Sequence, residues 1–216
     1  MVKIYKCSRN GNFMRIVCLE GCSGTGKTTQ HKLLGEYYKK SSLKHLSIVE
    51  KDYEPFRTIV RKWYEKGGPR IPFTREVITE FAKARVETFS RNFSGLEKEI
   101  DFLLMDRYFY TSAVYQRGIG LKPSEILQLN LDYGAPLPNL TFLFDCDSEV
   151  CFDRAQERNK RTGKGYLFSI SPEKVEEIRK VYIELTLGMK EVKIVDANKS
   201  VKDITNYLTS EINGLF

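Results

Sequence analysis

Gly21, Gly26, Lys27 and Thr28 stand at Gly-x-x-x-x-Gly-Lys-Thr spacing in LEGCSGTGKTTQ (19–30), directly after the apolar run 16–19. A phosphate needs several hydrogen-bond donors around it, and backbone N–H groups supply them where no side chain intrudes. Gly21, Gly24 and Gly26 allow that close approach. A helix opening near Lys27 points its free N–H groups and partial positive charge at the anion. The Lys27 ammonium can reach the outer phosphates, and the Thr28 hydroxyl is a hard-oxygen ligand for Mg²⁺. The alternative, a coincidental glycine-rich turn, accounts for neither the apolar run before it nor the helical pattern after.

Asp106 and Arg107 end a second apolar run, in LLMDRYFYTSAVYQRGIG (103–120). The carboxyl end of a parallel strand is where a doubly wound sheet opens its ligand crevice. There a carboxylate can steady a Mg²⁺ shell, and a guanidinium can grip a phosphate with two N–H groups. A strand-end ion pair serving structure alone is the alternative, and the phosphate loop already present favours the ligand role. Around ITEFAKARVETF (78–89), Val77, Phe81, Ala84, Arg85 and Thr88 share one side of a helix. Arg85 on that core-like side must find an acceptor or stay expensively unpaired. Phe81 on the face of a base and Arg85 on its edge would form a clamp. A core phenylalanine beside a snorkelling arginine fits the spacing slightly better.

CFDRAQERNKRTGKGYLF (151–168) puts Arg154, Arg158, Lys160, Arg161 and Lys164 on a helix end and a glycine-punctuated loop. Arginines that close over a phosphoryl group in transit stabilise its spread charge. Gly163 and Gly165 would let such a lid, about 154–168, move. The usual alternative is a solvated basic face.

These groups need elements to hold them. Apolar runs at 15–19, 46–49, 100–105 and 140–144, with a weaker one at 193–195, predict five strands. Helical patterns occupy 27–40, 54–65, 74–93, 148–158, 172–187 and 201–212. Alternating strands and helices, the strands apolar on both faces, predict an α/β fold. Its core is a doubly wound five-stranded parallel sheet with helices on both faces. EKGGPRIPF (65–73) and YGAPLPN (133–139) read as loops. Residues 1–216 read as a single domain, with 1–13 a loose extension ahead of Met14.

The 216 residues are 41% hydrophobic and 12% aromatic, enough for a substantial core. A formal charge of +7 suits an anionic partner. The basic residues fall in phosphate motifs without an interleaved aromatic surface, which speaks against nucleic acid. Cys7, Cys18, Cys22, Cys146 and Cys151 are odd in number and lack Cys-x-x-Cys spacing. That argues against a disulfide framework or zinc site and for a reducing, cytoplasmic setting. No apolar stretch approaches the roughly 20 residues that span a bilayer. MVKIYKCSRNGNF is not apolar enough for a secretory signal.

From Met14 onward nearly the whole chain resembles the thymidylate kinases, a family of P-loop nucleoside monophosphate kinases. LEGCSGTGKTTQ is similar to the family's first motif, FAKARVETF to its base-binding helix and DRYFYTSAVYQ to its Asp-Arg-Tyr stretch. PNLTFLFDCDSEVCFDRA resembles the strand and helix leading into the lid, and VDANKSVKDI the C-terminal loop beside the adenine. The resemblance implies a P-loop kinase fold that moves the γ-phosphoryl group of ATP to dTMP. It implies ATP on Gly21, Ser23, Gly24, Thr25, Gly26, Lys27, Thr28, Thr29, Arg154 and Ala197, with Mg²⁺ at Thr28 and Asp106. Acceptor contacts fall to Arg57, Phe81, Arg85, Arg107, Thr111, Tyr115 and Gln116. Lys27, Arg107, Arg154 and Arg158 take the charge of the group in transit. A homodimer is implied as well.

Three features depart from the family pattern. Ser23 or Cys22 stands where the family carries an acidic loop residue. GKGYLF (163–168) occupies the place of its Asp-Arg-aromatic-Glu lid signature. EKDYEPFRT (50–58) offers Arg57 for the segment that grips the acceptor phosphate.

A rival is a deoxynucleoside kinase. Its sugar hydroxyl is a poor nucleophile and needs a carboxylate base, which Glu54 of Glu54-Pro55 could supply. A monophosphate, with a second pKa of about 6, is already ionised and instead needs cations to offset repulsion between two anions. The dense arginines favour the monophosphate. A catalytically degenerate nucleotide-binding module is the reading from a different class.

Overall fold

The computed structural model describes residues 14–68, 73–117, 120–163 and 171–216. The expected extension 1–13, Cys7 with it, and the lid residues 164–168 lie outside the described residues.

Five strands form one sheet: β1 Arg15–Gly21, β2 His45–Ile48, β3 Phe102–Asp106, β4 Leu140–Asp145 and β5 Val192–Asp196. Their order is β2-β3-β1-β4-β5, and every pairing is parallel. Val17, Cys18 and Leu19 of β1 and Phe102, Leu103, Leu104 and Met105 of β3 are fully buried. Strands covered on both faces must read as unbroken apolar runs, and these do. β5 is an edge strand with one buried residue, Val195, which explains its weaker signal.

The helices are α1 Lys27–Tyr38, α2 Phe56–Glu65, α3 Arg75–Asn92, α4 Phe109–Tyr115, α5 Pro123–Asp132, α6 Ser148–Thr162, α7 Pro172–Thr186 and α8 Val201–Asn213. α1 packs on the sheet and on α8; α4, α5 and α7 pack on one another, and α6 on α7. Two helices escape the sequence pattern. FYTSAVY of α4 is buried at Phe109, Tyr110, Ser112, Ala113 and Val114, so no polar face marks a helical period. α5 does carry a start signal: Pro123 opens it, and the Glu125 carboxylate accepts from Lys122 N at 2.8 Å. α6 continues four residues past 158 and stops at Gly163, whose φ of 65° is left-handed backbone that glycine adopts without strain. Lys160 and Arg161 therefore sit on the helix, not in a loop.

The register places Leu19 opposite Asp106 and Gly21 opposite Phe144. Because all strands run the same way, β1, β3 and β4 deliver their carboxyl ends to one edge of the sheet. That edge holds the site.

Candidate active site

The glycine loop is wedged between the end of β4 and the start of α6. A Cβ on Gly21 (φ 131°) would lie 2.5 Å from the Phe144 carbonyl oxygen, and one on Gly24 (φ 88°) 2.0 Å from that of Cys151. Neither position admits a side chain. α1 starts at Lys27, which is buried. Its Nζ donates to the Cys22 carbonyl and, at 2.9 Å, to Thr25 Oγ1. Burial pushes the ammonium down to about 7, with Arg107 acting in the same direction and Asp106 opposing. Thr29 lies exposed on the first turn of α1.

Thr28 Oγ1 donates to Asp106 Oδ2 at 2.8 Å, joining residues 78 apart. One hydroxyl and one carboxylate are hard oxygens, and among the described residues no group of three or more His, Cys, Asp or Glu is placed to hold a metal ion. That donor set fits Mg²⁺, which takes one or two protein oxygens and completes its octahedron with phosphate and water.

Arg107 follows β3 with φ 72°, the left-handed region. This turn sends Nη1 back beneath the loop, where it donates to the Gly21 carbonyl at 3.1 Å, Thr111 Oγ1 at 3.0 Å and Tyr182 Oη at 3.4 Å. Buried Glu20 ties the same group together. It accepts from Tyr108 N at 2.8 Å, Thr111 Oγ1 at 2.6 Å and Tyr182 Oη at 3.2 Å. Burial raises the Glu20 carboxyl, and Arg107 pulls it back. Tyr115 lies 5.7 Å below the Arg107 guanidinium. Gln116 is buried nearby in sequence, and its Oε1 has no partner among the described residues.

Phe81 and Arg85 do share the buried side of α3. Phe81 belongs to an aromatic cluster, with ring centroids 5.7 Å from Phe56, 6.1 Å from Phe73 and 6.3 Å from Trp63. Arg85 finds the acceptor it needs in Glu50, from the short 3-10 turn after β2. Nε donates to Oε1 at 2.7 Å and Nη2 to Oε2 at 2.9 Å.

From α6, Arg158 Nη2 donates to Ser23 Oγ at 3.0 Å, and Arg154 Nη1 to the Ala197 carbonyl at 3.2 Å. Arg154 and Ala197, both expected ATP contacts, thus meet each other, and Arg158, expected to take the charge in transit, meets Ser23 of the loop. Arg57 is set apart: its Nε pairs with Glu54 Oε1 at 2.8 Å on the exposed start of α2. The other Glu54 oxygen accepts from Thr58 N at 3.2 Å, and these bonds hold its carboxyl below the ordinary range.

Glu20, Glu50, Asn130 and Tyr182 escape the reading of motifs. Glu20 and Glu50 left a trace, an acid abutting an apolar strand run, where a charge is costly unless paired. Asn130 and Tyr182 left none.

A family model described as "Thymidylate kinase" matches residues 19–208. The chain is 30% identical over 192 residues to the probable thymidylate kinase of Pyrococcus abyssi, and 32% identical over 192 residues to that of Pyrococcus horikoshii. Each match covers 87% of this chain and 90% of the relative. It is 32% identical over 196 residues to the thymidylate kinase of Symbiobacterium thermophilum, covering 87% of both. No helix among the described residues is long and apolar enough to cross a membrane.

Proposed function

The chain belongs to the thymidylate kinase family, and from that premise we propose that this nucleoside monophosphate kinase moves the γ-phosphoryl group of ATP to dTMP, giving dTDP. The observation that carries the reading is a ring of cations on the phosphate loop. Lys27 bonds to Cys22, Arg107 to Gly21 and Arg158 to Ser23, three consecutive loop residues reached from three different elements. Two anions meet only where fixed positive charge offsets their repulsion, and such a ring does that without reorganising.

In this reading the loop, Arg154 and Ala197 hold ATP. Thr28 and Asp106 would hold Mg²⁺, which when bound neutralises charge on the phosphate oxygens. Arg107 grips the acceptor phosphate, with Thr111, Tyr115 and Gln116 beside it, and Phe81 and Arg85 meet the base. Catalysis comes from positioning and charge, with no proton acceptor. Glu54 suits the rival poorly: a base needs a raised pKa, and this carboxylate is exposed, paired and lowered. Arg57 would serve the acceptor phosphate only by leaving Glu54. Assembly as a homodimer in the cytoplasm belongs to the same reading; sedimentation of a species of twice the chain mass checks the first part.

An acceptor panel tests the proposal: dTMP, dUMP, dCMP, UMP and thymidine, each with ATP and Mg²⁺, followed by ADP release. dTMP should turn over fastest. Thymidine as the best acceptor, with activity lost in Glu54→Gln, would overturn the monophosphate reading. Nucleotide binding without turnover of any acceptor would mark a degenerate module.

A further inference from the structure

Glu50 is the only acid in contact with Arg85 among the described residues, and no step above uses it. It is 7% exposed and Arg85 is 1% exposed. Its two oxygens take Nε and Nη2, a two-bond fork that fixes the plane of the guanidinium as well as its position. Phe56 and Tyr108 flank that plane, with ring centroids 4.9 Å and 5.4 Å from Cζ. Nη2 also donates to Ser112 Oγ at 2.9 Å, and Nη1 donates to Asn130 Oδ1. Asn130 is itself oriented, since its Nδ2 donates to the Ile126 carbonyl at 2.8 Å. Among the described residues, four of the five guanidinium N–H groups are therefore taken, leaving one on Nη1.

Resting on the dTMP reading, we propose that Glu50 is a positioning residue for acceptor recognition. Its carboxylate aims the Arg85 guanidinium at the base edge and cancels the charge that would otherwise draw the acceptor's phosphate to the wrong end of the pocket. Two physical points support this. A long arginine side chain loses much rotamer freedom when held, so an aimed donor needs a partner that holds it before the ligand arrives. A buried ion pair is also weak support for stability, because apolar residues of similar volume commonly do as well, which leaves specificity as the role proposed for this pair. With its charge neutralised, Arg85 offers the base a single aimed donor. That donor matches the carbonyl oxygen on carbon 4 of thymine or uracil and opposes the amino group of cytosine.

The test is steady-state kinetics of Glu50→Gln and Glu50→Asp with dTMP and dCMP at saturating ATP. Glu50→Gln should raise the KM for dTMP about tenfold or more, leave the KM for ATP unmoved and keep kcat within about threefold. The ratio of kcat/KM for dTMP over dCMP should fall about tenfold. Glu50→Asp, which keeps the charge, should recover part of both. A purely structural role would lower the melting temperature and the active fraction, scaling both acceptors alike. An unchanged KM and an unchanged ratio would therefore overturn the proposal. Should Glu50→Gln fail to fold, the ratio measured on Glu50→Asp decides, since the folded fraction cancels from it. A wild-type enzyme inactive on dTMP sinks the acceptor reading itself, whereas an active one with an unmoved ratio sinks only the role of Glu50.

Discussion

Lys27 is held in the folded protein well below its ordinary value of 10.5, at about 7, chiefly by burial and then by Arg107. Between those two values the unfolded chain binds more protons than the folded one, so stability rises with pH across that window. The cost of burying the ammonium is fully present below pH 7 and fades toward pH 10.5. Nucleotide-free Lys27→Met should therefore be more stable than wild type at pH 6, with the gap closing by pH 10, as read from urea midpoints. The same variant should lose phosphoryl transfer by about a thousandfold, the scale at which a single transition-state cation acts. A variant that kept most of its rate would remove Lys27 from its central role. A stability gap that failed to narrow with pH would mean that burial is not what depresses this group. The lysine was legible in the sequence because its signal is local; its depressed pKa was not, since burial and the approach of Arg107, which follows β3, are set by the tertiary fold.

The loop and α6 form one device at the scale of elements. Gly24 lets the backbone of the loop touch the Cys151 carbonyl at the first turn of α6, and a Cβ there would come within 2.0 Å of it. Because the obstacle is backbone, neither side can yield by rotating a side chain. Gly24→Ala must push α6 away, and Arg158 with it, from Ser23. The expected result is at least a tenfold loss of ATP affinity, together with about 1–3 kcal/mol of stability from overpacking and the left-handed backbone. Titration with ATP and urea unfolding check the two parts. Normal ATP affinity would mean that α6 does not shape the phosphate site. Helix α6 also explains how far the sequence carries here. Its basic residues were visible, whereas Gly163 read as a hinge of a lid and is instead the stop of the helix. That the helix runs on to Thr162, so that Lys160 and Arg161 ride a rigid element, follows from packing on α7.

Across the whole molecule, the last helix closes on the first. Tyr38 Oη of α1 donates to Asn213 Oδ1 at 2.9 Å, Gln30 Nε2 donates to the Val201 carbonyl at 2.9 Å, and Arg15 Cζ lies 4.4 Å from the centre of the Phe216 ring. Leu208 of α8 is fully buried beneath these contacts. Leu208→Ala should cost about 2–5 kcal/mol of unfolding free energy through lost burial and the cavity left behind. The KM values for ATP and dTMP should not move, because among the described residues α8 makes no hydrogen bond or ion pair with loop residues 21–28. A lowered urea midpoint with unchanged kinetics is the expected outcome; altered KM values would couple this closure to the site.

The phosphate loop, all five strands of the sheet and the buried side of α3 were readable from the amino-acid order alone. Each is written within a dozen or so neighbouring residues, where spacing and apolar run lengths directly reflect backbone periodicity. α4 was not readable, because a helix buried nearly all round has no polar stripe to mark its turn. Partnerships lay further out of reach. Thr28 meets Asp106 across 78 residues, Arg85 meets Glu50 across 35, Arg158 meets Ser23 across 135 and Tyr182 meets Glu20 across 162. No spacing rule links such pairs. Parallel strands set in order and register bring them to one edge of the sheet, and there burial obliges each charge to take the partner the fold supplies.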